Sequence, residues 1–165
     1  MFKYSMTINK REDILYNNIL LLSRNKLFFT KFNLNDTFQN RIYLIFIHIS
    51  FLFIKIKQIN QKEIYKNFYQ KMFDLIFKKI ELNMREIGYG DIVINKNMKF
   101  LVIAFYNILL NCENFNRKSL ILKKKFFSKY AIPCVFSTSF CWHAVIKSKI
   151  ITNKYIFFFI CHIIQ

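Results

Sequence analysis

Apolar residues recur at helical spacing through most of the first two thirds of the chain. Ile14, Leu15, Ile19 and Leu22 fit one side of a 3.6-residue repeat and predict a helix over 13–24. A short aromatic connector, 26–35, follows. Asp36 then stands three residues before Gln39, the spacing of a capping box, and opens a second predicted helix that runs to residue 57. This helix carries an apolar run over 42–54, broken only by His48 and Ser50. A bilayer span needs about 20 residues. The run is shorter than that and reads as a buried core helix in preference to a membrane-embedded segment.

Over 61–87 the pattern is amphipathic: Phe73, Ile76, Phe77, Ile80, Met84 and Ile87 recur at steps of three and four, with Lys78, Lys79, Glu81 and Arg85 on other faces. Gly88 sits where a helix-terminating glycine belongs. Asn95 is placed to cap a further helix over 96–112, with Leu101, Ala104, Phe105, Ile108 and Leu109 as its stripe. The pattern therefore predicts an all-α fold: one domain of four to five helices over 13–129, followed by an irregular, basic and hydrophobic tail over 130–165. Both glycines of the protein, Gly88 and Gly90, fall in one short corner, MREIGYGD at 84–91. In so glycine-poor a chain, such a corner implies positive φ or close approach of another segment.

Composition changes this picture in one place. The chain has 165 residues, 54% of them hydrophobic, with 21 Phe and a formal net charge of +17. The residues in excess, Phe, Ile, Lys and Asn, are those that A/T-rich codons produce, so single lysines and phenylalanines carry little information. The charge is uneven: residues 1–113 hold 17 bases and all nine acids, whereas 114–165 hold nine bases and no acid. A break near 115–130 marks a boundary. The N-terminus, MFKYSMTINKRED, is polar and charged where a secretory signal has its apolar core. A reducing compartment follows as the default, and four cysteines at irregular spacing make no disulfide framework.

The chemistry available for catalysis is thin. His48 stands alone in an apolar helix and reads as a buried or polar-pinned ring. Cys134, Cys141, His143, Cys161 and His162 include no close CxxC pair, and their clustering reads as coincidence rather than as a metal site. The Gly88-Tyr89-Gly90 corner lacks the preceding strand and third glycine of a dinucleotide loop, and the Gly-Lys-Ser/Thr of a phosphate loop. No cofactor, metal or catalytic residue is implied, and the expectation is a non-enzyme without a small-molecule substrate. Lys55, Lys57, Lys62, Lys66, Lys78 and Lys79 form either a solvated surface or a face for anionic lipid or ribosomal RNA.

At MREIGYGD the sequence resembles the ubiquinol-cytochrome c chaperone family, whose helix ends approximately in LREMGVGD. Phe73-Asp74 upstream, and Asn97-Met98-Lys99 and Ala104-Phe105-Tyr106 downstream, extend the likeness. A second block agrees in order and spacing: Leu15-Tyr16, Ser23-Arg24, Phe28-Phe29, Asn35-Asp36-Thr37 and Arg41, with His48 beyond. Together they cover about 13–115, with a weak continuation through LILKKKFF to residue 129. Three positions depart from the family pattern: Asn35 replaces Pro, Asn40 replaces Gly, and Tyr89 replaces an aliphatic residue.

The resemblance implies an assembly chaperone for the cytochrome b subunit of respiratory complex III. It would act in an alphaproteobacterial cytoplasm, peripheral to the inner membrane, or on the mitochondrial matrix side. Implied partners are nascent or apo cytochrome b, a second assembly factor, the ribosome, and the anionic inner-membrane surface. Exposed aromatic and Met side chains would shelter apolar client segments. Candidate client-binding residues are Arg85, Glu86, Gly88, Gly90, Asp91, Lys99 and Tyr106, with Asp36, Arg41 and His48 as a second group. Each has a structural alternative: Gly88 as a cap, Asp36 as an N-cap, and Glu86 with Arg85 or Asp91 as a pin at the corner. The competing readings are a small basic membrane-associated or RNA-binding structural protein and a non-functional decayed product. Residues 131–165 resemble nothing in the family and read as a frame-shifted or decayed extension, which resequencing the locus would test.

Overall fold

The computed structural model describes residues 10–30, 34–58 and 62–130. Among these the protein is all α: α1 Lys10–Ser23, α2 Lys26–Thr30, α3 Phe38–Lys57, α4 Lys62–Ile87, α5 Asp91–Cys112, a 3₁₀ turn Phe115–Arg117, and α6 Leu120–Tyr130. The tail over 131–165, with its cysteines and histidines, lies outside the described residues.

The apolar run of α3 is the centre of the molecule. Nine of its residues are buried, including Phe46, Ile49 and Phe53, and it packs against α1, α4, α5 and α6. Aromatic contacts set the helix directions. Phe46 meets Phe77 and Phe53 meets Tyr69, at 5.6 and 4.5 Å between centroids, so α3 and α4 run antiparallel. The three-residue corner after α4 and the Phe73–Phe105 contact at 5.7 Å make α5 antiparallel to α4. Fully buried Phe105 also meets Phe46 and Phe53 edge-on, joining three helices. Edge-to-face pairs add about 0.5–1.5 kcal/mol each beyond area burial. Removing the Phe105 ring would cost roughly 3–5 kcal/mol.

Several boundaries differ from the sequence expectation. The connector after α1 begins as helix: Asn25 Oδ1 accepts from Leu27 N at 3.0 Å and starts the five-residue α2. In α1 the buried face is Leu15, Tyr16, Ile19 and Ser23, while Ile14 and Leu22 are exposed, because contacts with both α3 and α4 rotate the face by about one residue. α5 starts at Asp91 rather than at residue 96, so Asn95 lies inside it and Gly90 is its N-cap. Ile87, expected in the core stripe, is exposed at the last turn of α4. Ser50 is fully buried in α3, and its hydroxyl has no hydrogen-bond partner among the described residues.

Candidate functional site

Gly88 closes α4 with φ +97°, a left-handed conformation costly for any residue with a Cβ. Its N–H donates to Arg85 O at 3.0 Å and Tyr89 N–H donates to Met84 O at 3.1 Å, the paired bonds that end a helix at such a glycine. Gly90 is different. Its φ is −73°, and an added Cβ would meet nothing within 4 Å, so neither reason expected for a glycine applies there. It serves as the N-cap of α5, its carbonyl accepting from Ile94 N at 3.0 Å.

Arg85 staples this corner. Its Nη1 donates to Asp91 Oδ1 at 2.5 Å, and Nε and Nη2 donate to Glu81 Oε1 at 3.2 and 2.9 Å. These two carboxylates raise the arginine pKa further, the hydrogen bond from Glu81 being the largest cause. Glu86, exposed beside them, joins none of the described ion pairs, so the pin is Arg85 with Asp91. Five candidates, Arg85, Glu86, Gly88, Gly90 and Asp91, thus meet at one end of the bundle. Lys99 lies eight residues further along α5, about 12 Å away at the helical rise. Tyr106 lies further still, its ring 6.0 Å from Phe73. Burial first, and the Tyr106 hydroxyl second, push the Tyr69 pKa up.

The second group divides. Asp36 does not cap α3; Thr37 does, its Oγ1 accepting from Asn40 N at 3.2 Å with the backbone extended at φ −108° and ψ 154°. Asp36 instead accepts from Arg41 Nε and Nη2 at 2.5 and 2.6 Å, a two-pronged pair that holds its carboxyl below the usual range. The Asn40 side chain donates to Asn35 O at 2.8 Å, so two of the departures from the family pattern touch one another. His48 lies two turns beyond Arg41 and joins neither group by any described hydrogen bond or ion pair. Its Nδ1–H donates to Leu44 O at 2.6 Å and its ring stands edge-on to Phe28 at 5.9 Å. Lost hydration, opposed by the Leu44 bond, lowers its pKa. α2 links the two, since Arg41 lies against the neighbouring Phe29 ring at 6.0 Å.

Sequence reasoning missed an exposed apolar face of α5. Ile92, Ile103 and Leu110 project from α5 on the side opposite its core stripe, with Phe100 on the flank beside them, Ile92 at 86% and Phe100 at 61% exposure. At 100° per residue, Ile92, Lys99, Ile103, Tyr106 and Leu110 fall within a narrow arc. The signal was present, since Phe100, Ile103 and Leu110 recur at helical steps. Starting the helix at residue 96 hid its continuation to Ile92. α3 and α5 are each long and apolar enough to cross a membrane by length and composition. Yet the candidate span of α3 is 50% buried inside the protein and that of α5 only 22%. Among the described residues the exposed apolar surface is not methionine-rich as expected: Met72 and Met84 are in the core and Met98 packs against it, because these unbranched side chains fill gaps between the aromatic rings.

The lysine face also divides. Lys57 donates to Glu113 Oε1 at 2.9 Å at an exposed position, and Lys79 approaches Asp13 at 3.6 Å where both residues are half-buried. Among the described residues no group of three or more His, Cys, Asp or Glu is placed to hold a metal.

A sequence model of the family described as ubiquinol-cytochrome C chaperone matches residues 30–115, just over half of the chain. The match runs from the end of α2 to the first residue of the 3₁₀ turn, so it contains the glycine corner, the Asp36–Arg41 pair and all of α5. α1 and α6 lie outside it. No curated protein and no solved structure matches the chain.

Proposed function

The chain belongs to the ubiquinol-cytochrome C chaperone family, and from that premise we propose that it is a non-catalytic assembly factor that shelters apolar segments of the cytochrome b subunit. The observation supporting this reading is the apolar stripe of α5, exposed on a helix whose other face is fully used in the core. An isolated exposed Leu means nothing, but a contiguous stripe marks an interaction surface. Lys99 and Tyr106 on the stripe add a charge and an amphipathic ring. Arg85, Asp91 and Gly88 act indirectly, by fixing the angle at which α5 leaves α4. Work beside the energy-transducing membrane, with a second assembly factor and the ribosome as further partners, belongs to the same reading.

The test is recovery of newly made cytochrome b on the tagged full-length protein. Parent protein is expected to retain it, while Phe100→Ser with Ile103→Ser loses most of it at unchanged thermal stability. Equal recovery by the variant would remove α5 as the client face. Salt-sensitive recovery of RNA with no cytochrome b would favour a nucleic-acid-binding role instead.

A further inference from the structure

The two ends of the bundle differ in charge balance. At the end where α3 starts and α4 turns into α5, acids and bases are mixed: Asp36, Glu81, Glu86 and Asp91 stand with Arg41 and Arg85 paired among them and with Lys78, Lys79, Lys96 and Lys99 in the same halves of α4 and α5. At the other end α3 finishes with Lys55 and Lys57, α4 begins with Lys62 and Lys66, and the chain continues from α5 through Arg117 and Lys118 into the lysines of α6. Two acids, Glu63 and Glu113, belong to this end by position, and Glu113 is held by Lys57. No acid follows in the sequence.

Leu120, Ile121 and Leu122 protrude from this basic end, all exposed, Ile121 at 77%. They open α6, and three consecutive helical positions point about 100° apart. They therefore form a tip rather than a stripe. A single protein groove covers one arc of a helix, whereas the fluid headgroup region of a bilayer can surround a tip on all sides. The tip is preformed. Lys118 Nζ donates to Asn111 O at 2.5 Å, and Ser119 Oγ accepts from Leu122 N at 3.4 Å. Behind the tip α6 is anchored by Phe126 on Phe115, by Phe115 on Phe51 and by Tyr130 on Tyr43.

We propose that the 3₁₀ turn and the first turn of α6 dock onto an anionic lipid bilayer surface. Leu120, Ile121 and Leu122 enter the headgroup region, and Arg117 and Lys118 meet the lipid phosphates. The apolar part supplies depth and the bases supply selectivity for anionic lipid. The site lies outside the family-matched segment, so it extends the membrane placement in the proposed function without depending on the client.

The experiment is co-sedimentation of the full chain with vesicles of phosphatidylcholine, alone or mixed with phosphatidylglycerol. Binding is expected only with the mixed vesicles, and is expected to weaken as salt is raised. Ile121→Asn with Leu122→Asn is expected to weaken it about tenfold or more, and Arg117→Gln roughly fivefold. Both sites are on the surface, so helical signal and melting temperature serve as controls and are expected to match the parent. Phe100→Ser with Ile103→Ser is expected to leave vesicle binding unchanged, which separates this surface from the client stripe. Equal binding to both vesicle types overturns the proposal. So does parental binding by the Ile121/Leu122 variant, which would assign binding to another surface such as residues 131–165. So would lipid-free self-association by the parent that the variant abolishes, which would make the tip a protein contact.

Discussion

Arg85, in the last turn of α4, donates to Asp91, in the first turn of α5, across a corner whose geometry is already fixed by the backbone of Gly88. The ion pair is exposed at both ends and its energy is correspondingly small. The rigid part of the corner is the left-handed glycine with its two closing hydrogen bonds. The two glycines should therefore respond differently to the same substitution. Gly88→Ala forces a Cβ into φ +97° and is expected to cost about 1–2 kcal/mol. Gly90→Ala is expected to cost less, about 0.5–1 kcal/mol, because its extended backbone accepts a Cβ and only the N-cap preference for Gly over Ala is lost. Urea unfolding midpoints of the two variants check this. Equal losses would mean that the corner is held by side chains instead.

His48 gives the fold a pH dependence of known sign. Burial depresses its pKa below the ordinary value of 6.5 in the folded state, so the folded ring resists a proton that the unfolded ring accepts. Between the two values the unfolded chain binds more protons, and stability falls as pH falls. The contribution is complete above about 6.5 and is lost progressively below it. Melting temperature is expected to decline on acidification through this window, and His48→Gln is expected to flatten that decline. The carboxylate of Asp36 adds to the loss at lower pH, since its depressed pKa makes its contribution vanish only as pH falls through the folded value. The two effects separate because Asp36→Asn leaves the higher window unchanged. An acid limb that His48→Gln does not alter would remove histidine from the account.

Residues whose local pattern and tertiary role coincide were legible in the sequence. The core run of α3, the stripe of α4 and the terminating role of Gly88 each follow from spacing alone, and the match over 30–115 supports the family resemblance carried by the corner. Asp36 reads as the cap by type because Asp is the better N-cap of two neighbours that both qualify. Only the position of Arg41, one turn along, draws the carboxylate away and leaves Thr37 to cap. The start of α5 was misread because Asn95 is a good cap by type, whereas the tight turn at Gly88 lets the helix resume at Asp91. The second face of α5 was hidden for a different reason. A helix apolar on two sides satisfies the core pattern with either side, and only tertiary contacts decide which is left outside.

Cys112, at the last residue of α5, provides a direct measure of how tightly the C-terminal part of the bundle closes. Its side chain is buried, and lost hydration pushes the thiol up to about 12 from an ordinary 9.0, against a small opposing effect of Lys118. The thiolate fraction at neutral pH is then about a thousandfold below that of an ordinary cysteine. With Cys134, Cys141 and Cys161 changed to Ser, alkylation of the full chain by iodoacetamide should be slow in buffer and fast in denaturant. The rate in buffer then reports transient opening around the end of α5 rather than chemistry at a poised thiol. Phe126→Ala, which removes a ring packed on Phe115, should accelerate labelling without moving the melting transition as far as Phe105→Ala does. Fast labelling of the parent under native conditions would show instead that the 3₁₀ turn and α6 do not cover this end of α5.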